Sequence, residues 1–419
     1  MKNKKDKKIV TTPFDRSKIP PKQNLFFLPF IWGYSYLKTK KYKLKIKKEN
    51  MGGLKPPYLL LGTHHSFTDF LVTPLAIFPN RANYVSELEG FEAYGEWLYR
   101  QAGCLGTRKF VNDQLLIRNI KKVIDRKGIL VLYPEARYAN VGTSSNLPDS
   151  LGKLAKLLKV PVVTINMKGN YLQSPIWNLE YRKDAILEAT ITRIYSKEEL
   201  EKATVQEINN KIGEYLSYDE YRWQYDNKIA IKYDKRAEGL ELPLYQCKNC
   251  KTEFEMETKG AEIFCNHCKS HWKMSEYGRL ENEKESIHIL DWYEWERRNV
   301  IKQIEDGKYN LDTIVNIESL PNAINFINLG EGRLKHNTDG FFLTFKDYGE
   351  DKEKTLHFPP MSMISVHTEY DYRKKGQCIT LSTVDNTYFL FPKEFGFNST
   401  KIQFATEYLY EKIKRKNLK

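Results

Sequence analysis

The sequence predicts an α/β domain with a mixed sheet flanked by helices. A small cysteine-bearing module and a mostly β C-terminal domain with a closing helix follow. Three observations carry this. Between residues 58 and 166 short apolar runs alternate with helical patterns, and chemistry-bearing residues stand just after the runs. Four cysteines fall as two CxxC pairs, Cys247/Cys250 and Cys265/Cys268, with fourteen residues between the pairs. Beyond residue 310 the pattern changes to short strands with turn signals, and a helical pattern returns from Ser399 to Lys414.

The 419 residues suit two or three domains, with 67 Lys and Arg against 53 Asp and Glu, a formal +14. Residues 1–48 hold fifteen Lys or Arg and two Asp, so the remainder is close to neutral. Residues 1–24 read as a basic arm. Residues 25–37, from Leu25 to Leu37, are apolar and aromatic. At thirteen residues the stretch falls short of the roughly twenty that span a bilayer as a helix. Its Trp32, Tyr34 and Tyr36 suit the headgroup zone, and the flanking lysines suit anionic lipid. It therefore reads as an interfacial anchor on an anionic membrane surface. The competing reading is a helix packed on its own domain with the lysines in solvent. The start Met1-Lys2-Asn3-Lys4-Lys5 lacks the apolar region of a secretory signal, and no run of about eighteen apolar residues exists. A peripheral protein on the cytoplasmic face of the cell membrane is expected. The Lys-, Asn-, Ile- and Tyr-rich composition is compatible with an AT-rich bacterial genome. Aromatic residues among the basic ones argue against nucleic acid as a partner.

The first buried-type strand, Tyr58 to Leu61, ends at Gly62-Thr63 and presents His64-His65-Ser66-Phe67-Thr68-Asp69. With a helix starting here, His64 and Asp69 lie within about a turn and a half. Asp69 could then accept from one ring nitrogen of His64 and leave the other free to take a proton from a hydroxyl. No serine has the setting of a nucleophile elbow, which favours direct general-base attack. The bland alternative is a helix start capped by Ser66 or Thr68. Next, Gly103, Gly106, Arg108 and Lys109 read as a loop suited to an anion, or as a solvated turn. A helix over 112–126 leads to the strand Gly128 to Tyr133 and to Pro134-Glu135-Ala136-Arg137. Glu135 and Arg137 also read as a surface ion pair. A helix over 150–158 leads to the strand Val160 to Asn166.

In this order the elements resemble the glycerolipid acyltransferase family, the lysophosphatidic acid acyltransferases and their relatives, over about residues 25–215. The family's Asn-His-x-Ser-x-x-Asp is here Thr63 to Asp69, with Thr63 in place of Asn. Its Gly-apolar-Arg motif matches Gly103, Leu105 and Arg108. Its Pro-Glu-Gly-Thr-Arg is one residue shorter here, Pro134-Glu135-Ala136-Arg137. Its fourth motif matches Val160-Pro161-Val162-Val163. The resemblance implies an α/β acyltransferase domain over 25–235. His64 acts as general base and Asp69 orients it. Arg108, helped by Lys109, holds the acceptor's phosphate, and Arg137, in one motif with Glu135, does the same. The acceptor implied is a lysophospholipid, 1-acylglycerol-3-phosphate, in phospholipid biosynthesis. The donor implied is acyl-CoA or acyl-ACP.

Residues 241–280 read as a zinc ribbon. Two CxxC knuckles suit a tetrahedral zinc on Cys247, Cys250, Cys265 and Cys268, and four thiolates leave no open position, so the metal is structural. His267 and His271 are spare ligands nearby, and disulfides fit a cytosolic chain poorly. The alternation in 252–257 reads as a strand, and its glutamates argue against nucleic acid. Cys104 reads as a small buried filler. Residues 281–310 read as a helical linker, with a helix over 286–305. In 311–419, strands are expected at 332–337, 340–345, 356–358, 362–366, 378–382 and 386–391, with hairpin signals at Asn337 to Gly340 and Asp385-Asn386. Several strands and one C-terminal helix resemble a pleckstrin-homology or GRAM-like domain, which could bind headgroups or a partner, or simply pack on the rest. Two other functions stay open: acyl transfer to another hydroxyl acceptor, such as another lysophospholipid or a glycan, and an inactive acyltransferase-fold scaffold binding partners through the ribbon and C-terminal domain.

Overall fold

Residues 9–417 are described by the computed structural model. The start Met1-Lys2-Asn3-Lys4-Lys5, and with it residues 1–8 of the basic arm, lies outside the described residues. Seven strands, β1 (Lys45–Glu49), β2 (Tyr58–Gly62), β3 (Ala82–Glu87), β4 (Cys104–Thr107), β5 (Ile129–Leu132), β6 (Val162–Lys168) and β7 (Glu188–Tyr195), form one sheet in the order β1-β7-β6-β2-β5-β3-β4. Every neighbouring pair is parallel except β6 with β7, so the sheet is mixed. The helices are α1 (Leu28–Lys40), α2 (Asp69–Ala76), α3 (Leu88–Tyr94), α4 (Glu96–Gln101), α5 (Gln114–Asp125), α6 (Ser150–Leu158), α7 (Asn170–Gln173), α8 (Lys197–Lys202), α9 (Val205–Tyr215) and α10 (Glu220–Asp226).

The central strand β2 is an unbroken apolar run because both its faces are covered. Leu59 and Leu61 pack with Val123 of α5, Leu151 of α6 and Ile208 of α9. Tyr58 and Leu60 point the other way, onto Val72 and Ala76 of α2. The stretch expected as an anion loop is instead edge strand β4, paired in parallel with β3. A Cβ on Gly106 would meet Phe14 at 2.7 Å, so the bare backbone lets the N-terminal arm lie against the edge. Helix α5 begins at Gln114 because Asp113 caps it, accepting from Leu115 N and Leu116 N. Neither Ser66 nor Thr68 caps α2 through its side chain as the helix-start reading expected; the carboxylate of Asp69 takes His65 N and Ser66 N instead.

The second sheet is antiparallel, in the order β12-β11-β10-β9-β8, from β8 (Met256–Lys259), β9 (Glu262–Cys265), β10 (His271–Met274), β11 (Arg279–Glu281) and β12 (Ser286–His288). The strand expected from residue 252 starts only at Met256, since Phe254 sits at φ 64° in the turn after the first knuckle. The helix expected from residue 286 starts at Ile289, as α11 (Ile289–Glu305), because Ser286–His288 pair with β11.

The third sheet, also antiparallel, comprises β13 (Leu311–Ser319), β14 (Ile327–Asn337), β15 (Gly340–Lys346), β16 (Glu353–Phe358), β17 (His367–Glu369), β18 (Cys378–Ser382) and β19 (Thr387–Pro392), in the order β16-β15-β14-β13-β19-β18-β17. Helix α12 (Ser399–Asn417) closes it. Strand β13, unanticipated, is the middle of this sheet. Residues 362–366, expected as a strand, hold the end of a 3₁₀ turn, Pro360–Ser362, and an irregular link. The three units share one core: Tyr171 and Tyr218 of the first, Trp272 of the second, Trp292 of α11 and Phe404 of α12 all belong to it. The arm is stitched to the third unit, with Asn322 Nδ2 donating to Val10 O (2.7 Å) and Thr12 O (3.1 Å).

Candidate active site and metal centre

The carboxyl ends of β2, β5, β3 and β4 lie side by side, and the segments that follow them carry the sequence-predicted residues. His64 follows β2. Its Nδ1 lies 3.0 Å from Asp69 Oδ2. Asp69 is fully buried, and its Oδ2 also accepts from His65 N (2.6 Å) and Ser66 N (3.1 Å), while Oδ1 accepts from Asn170 Nδ2 (2.7 Å). Four donors thus converge on this one carboxylate. A carboxylate only accepts, so the proton of a neutral His64 sits on Nδ1 and Nε2 carries a lone pair. The ring is held by stacking on Tyr133 (4.7 Å between centroids, 22°), with Tyr138 at 4.5 Å and the edge of Phe70 at 5.6 Å. Thr63, which stands where the family pattern has Asn, is buried and accepts from Met167 N of β6 (3.0 Å), fixing the strand end that presents His64.

His65 faces away from this site. It is buried against Tyr218 at 4.1 Å with both ring nitrogens unpartnered, and burial pushes its pKa down to about 4. Asn170 escaped the sequence reading. It follows β6 through Gly169 at φ 82°, where a Cβ would collide with Ile186 O at 1.7 Å. The Gly169-Asn170 step after an apolar strand was its only signal.

Glu135 lies under the site rather than in its mouth. It accepts from His64 N (3.2 Å), Ser145 N (2.9 Å) and the Tyr218 hydroxyl (3.0 Å), and burial raises its pKa. Arg137 is buried, bonded to Glu407 Oε1 of α12 (3.1 Å) and to Asn140 Oδ1 (3.3 Å). Burial raises the Glu407 pKa, but Arg297 and Arg137 outweigh it and hold the carboxyl below its ordinary range. Arg108, expected at an anion, is buried against the third unit. Its Nη1 donates to Leu320 O (2.8 Å) and Thr387 Oγ1 (2.9 Å), its Nη2 to Pro321 O (2.7 Å) and Asp385 O (2.9 Å). Burial lowers its pKa to about 10. The structure thus places Arg108 and Arg137 in joints between units. Lys109 is paired with Glu87 and lies 2.9 Å from His367 Nε2 of β17.

In the second unit the ligand atoms of Cys247, Cys250, Cys265 and Cys268 all lie within 4.8 Å of one another. The Sγ pairs Cys247/Cys268 and Cys250/Cys265 are 3.6 and 3.7 Å apart, against about 3.8 Å for thiolates on a tetrahedral zinc. The four could hold a zinc ion. Among the described residues this is the one group with metal-holding geometry, and His267 and His271 are not part of it.

No protein-family model and no curated protein matches the chain. Among solved structures, the chain is similar to the crystal structure of a 1-acyl-sn-glycerophosphate acyltransferase, PlsC, from Thermotoga maritima, with a TM-score of 0.34 and 15% identity, over 46% of this chain and 82% of that one.

Proposed function

We propose that the chain is an acyltransferase that moves a fatty acyl group from a thioester donor, acyl-CoA or acyl-ACP, to the hydroxyl of a membrane-lipid acceptor. The single observation that carries the reading is the His64/Asp69 pair, with its carboxylate fixed by three further donors. His64 Nε2 takes the proton of the acceptor hydroxyl as its oxygen attacks the thioester carbonyl carbon. A new C–O bond forms and the carbonyl becomes an oxyanion. Collapse breaks the C–S bond, and the imidazolium returns its proton to the departing thiolate. The Asp69 carboxylate, against His64 Nδ1, orients the ring and stabilises the imidazolium. The acceptor named by the family resemblance, 1-acylglycerol-3-phosphate, depends on Arg108 and Arg137, whose Nη donors are engaged within the protein.

A peripheral site on an anionic membrane, facing the cytoplasm, completes the proposal. No described helix is long and apolar enough to cross a membrane. Helix α1 and the turn before it leave Leu25, Phe26, Phe30 and Leu37 mostly exposed, and Trp97 of α4 adds to the same ridge through Phe27 at 6.1 Å. Exposed apolar clusters of this kind mark interaction surfaces. Lys38 and Lys40 stand over Tyr34 and Tyr36 beside it, a pairing suited to headgroups.

The test is acyl transfer from a labelled long-chain thioester with purified protein, anionic liposomes and lysolipid acceptors. His64→Ala is expected to lower turnover by about 10²–10⁴-fold with an unchanged melting midpoint. Transfer at the wild-type rate in that variant removes the assignment. Phe26→Glu with Phe30→Glu is expected to abolish co-sedimentation with phosphatidylglycerol vesicles while leaving the fold intact.

A further inference from the structure

We infer that the acceptor of this site presents an uncharged, hydroxyl-rich headgroup rather than a phosphomonoester, read by a wall that the first and third units build together from Glu87, Lys109, His367 and Glu369. The inference rests on the acyl transfer proposed at His64 and goes further, to the class of the acceptor.

Strand order sets the distances. His64 follows β2, and Glu87 ends β3 two strands away, about 10 Å at the usual strand spacing. Arg108 and Lys109 follow β4, one strand further. Tyr138 stands with its ring 4.5 Å from the His64 ring, and burial, then the charges of Glu87, Asp69 and Glu369, push its hydroxyl well above the ordinary range. The third unit reaches the same place through β17. Lys109 Nζ stands between Glu87 and His367, and His367 Nε2 lies 3.0 Å from Glu369 Oε1. The chain Glu87, Lys109, His367, Glu369 therefore crosses from one unit to the other. It is not sealed: Glu87 keeps 36% of its side chain exposed, Glu369 19% and Lys109 15%, and His64 beyond them keeps 13%.

The charges decide the ligand. A phosphomonoester brings a charge of about −1.5 to −2. The two arginines that could meet it are buried and bonded, Arg108 to four oxygens of the third unit and Arg137 to Glu407. The remaining cation, Lys109, is matched by Glu87. Burial holds His367 neutral and pushes both Glu89 and Glu369 up to about 7, so further negative charge develops near neutral pH. Among the described residues of this wall, no net positive charge is left for a phosphate. Hydroxyl groups suit the same wall, because carboxylates accept from O–H donors, Lys109 donates, and Tyr138 and Tyr133 offer ring faces.

The experiment compares three acceptors with one labelled oleoyl thioester: 1-oleoyl-3-galactosylglycerol, 1-oleoylglycerol-3-phosphate and 1-oleoylglycerol-3-phosphoethanolamine. The full chain is used, with His64→Ala alongside. The galactosyl acceptor is expected to have a kcat/KM at least tenfold above the other two. Glu369→Gln and, independently, Glu87→Gln are expected to raise its KM at least tenfold with kcat changed less than threefold. Glu369→Lys is expected to shift preference toward the phosphate acceptor. Melting midpoints identify any variant that fails to fold, and two positions keep the test alive if one does. A phosphate or amine acceptor used as well as the galactosyl one overturns the inference and leaves the chemistry standing. So does thioester hydrolysis that depends on His64 but acylates none of the three. Absence of any His64-dependent thioester turnover overturns the proposed function, and the inference with it.

Discussion

Asp69 holds three donors on one oxygen and the Asn170 amide on the other. Asp69→Asn keeps the shape. The amide of Asn170 can rotate to turn its unpartnered Oδ1 toward the new NH₂, so the fold is expected to survive. What is lost is the charge facing the imidazolium, and a fall in kcat of about 10²–10³-fold at unchanged melting midpoint is the expected result. Ala136 gives a second test. It occupies φ 56°, a left-handed conformation in which its Cβ is crowded. Ala136→Gly is expected to stabilise the protein by about 1 kcal/mol, read by denaturant titration. The His64/Asp69 pairing was legible because five residues separate the partners. Asn170 was not, because it meets Asp69 across 101 residues, and a short polar side chain after a glycine announces a turn long before it announces a carboxylate.

At the scale of elements, the ribbon's cysteines hold more than a local turn. Gln246, next to Cys247, donates its backbone N–H to Glu296 (2.7 Å) and accepts from Trp292 Nε1 (3.0 Å), both on α11. Loosening the knuckle therefore loosens the helix that packs on α12. One zinc per chain is expected by metal analysis. Chelation, or Cys265→Ser, is expected to remove it and lower the melting midpoint by many degrees. Strand β2 was legible because complete burial demands an unbroken apolar run. Strand β4 was not, because two glycines near two cations look like a loop when the neighbouring β3 is out of view. Strand β13 alternates inward Thr313, Val315 and Ile317 with Ile314, Asn316 and Glu318, and the apolar Ile314 on the outer face blurs the alternation. The CxxC pairs were legible because thiolates on a tetrahedral metal need that local spacing.

At the scale of the molecule, Arg108 is a clasp between the first and third units. Arg108→Leu leaves Leu320 O, Pro321 O, Asp385 O and Thr387 Oγ1 without their donor in a buried joint, at about 1–3 kcal/mol for each group left dry. Early melting and faster proteolysis of the third unit are expected. A raised acceptor KM at unchanged stability would instead make Arg108 a ligand for substrate. These partners lie 212–279 residues away, which is why the sequence read the arginine as free for an anion. Acid should also loosen the whole. His65 is buried neutral with a pKa pushed down to about 4 from the ordinary 6.5. The unfolded chain takes that proton first, so the contribution is complete above about pH 6.5 and is lost as the pH falls toward 4, at about 1.4 kcal/mol per pH unit. His65→Phe keeps a ring on Tyr218 and is expected to lower the slope of the stability profile over that window, with buried His336 and His367 still contributing; an unchanged slope refutes the account.

The stitching of the arm has a consequence in time. Val10 and Thr12 wait for Asn322, which lies 312 residues later. At a synthesis rate of about 5–20 residues per second, these residues stay without their partner for about 15–60 s. The arm must therefore be among the last pieces to settle, laid along the edge strand only once the third unit exists to hold it. A ribosome stalled before residue 320 would carry a sheet with β4 uncovered, and the unfinished chain would be open to pairing with its neighbours.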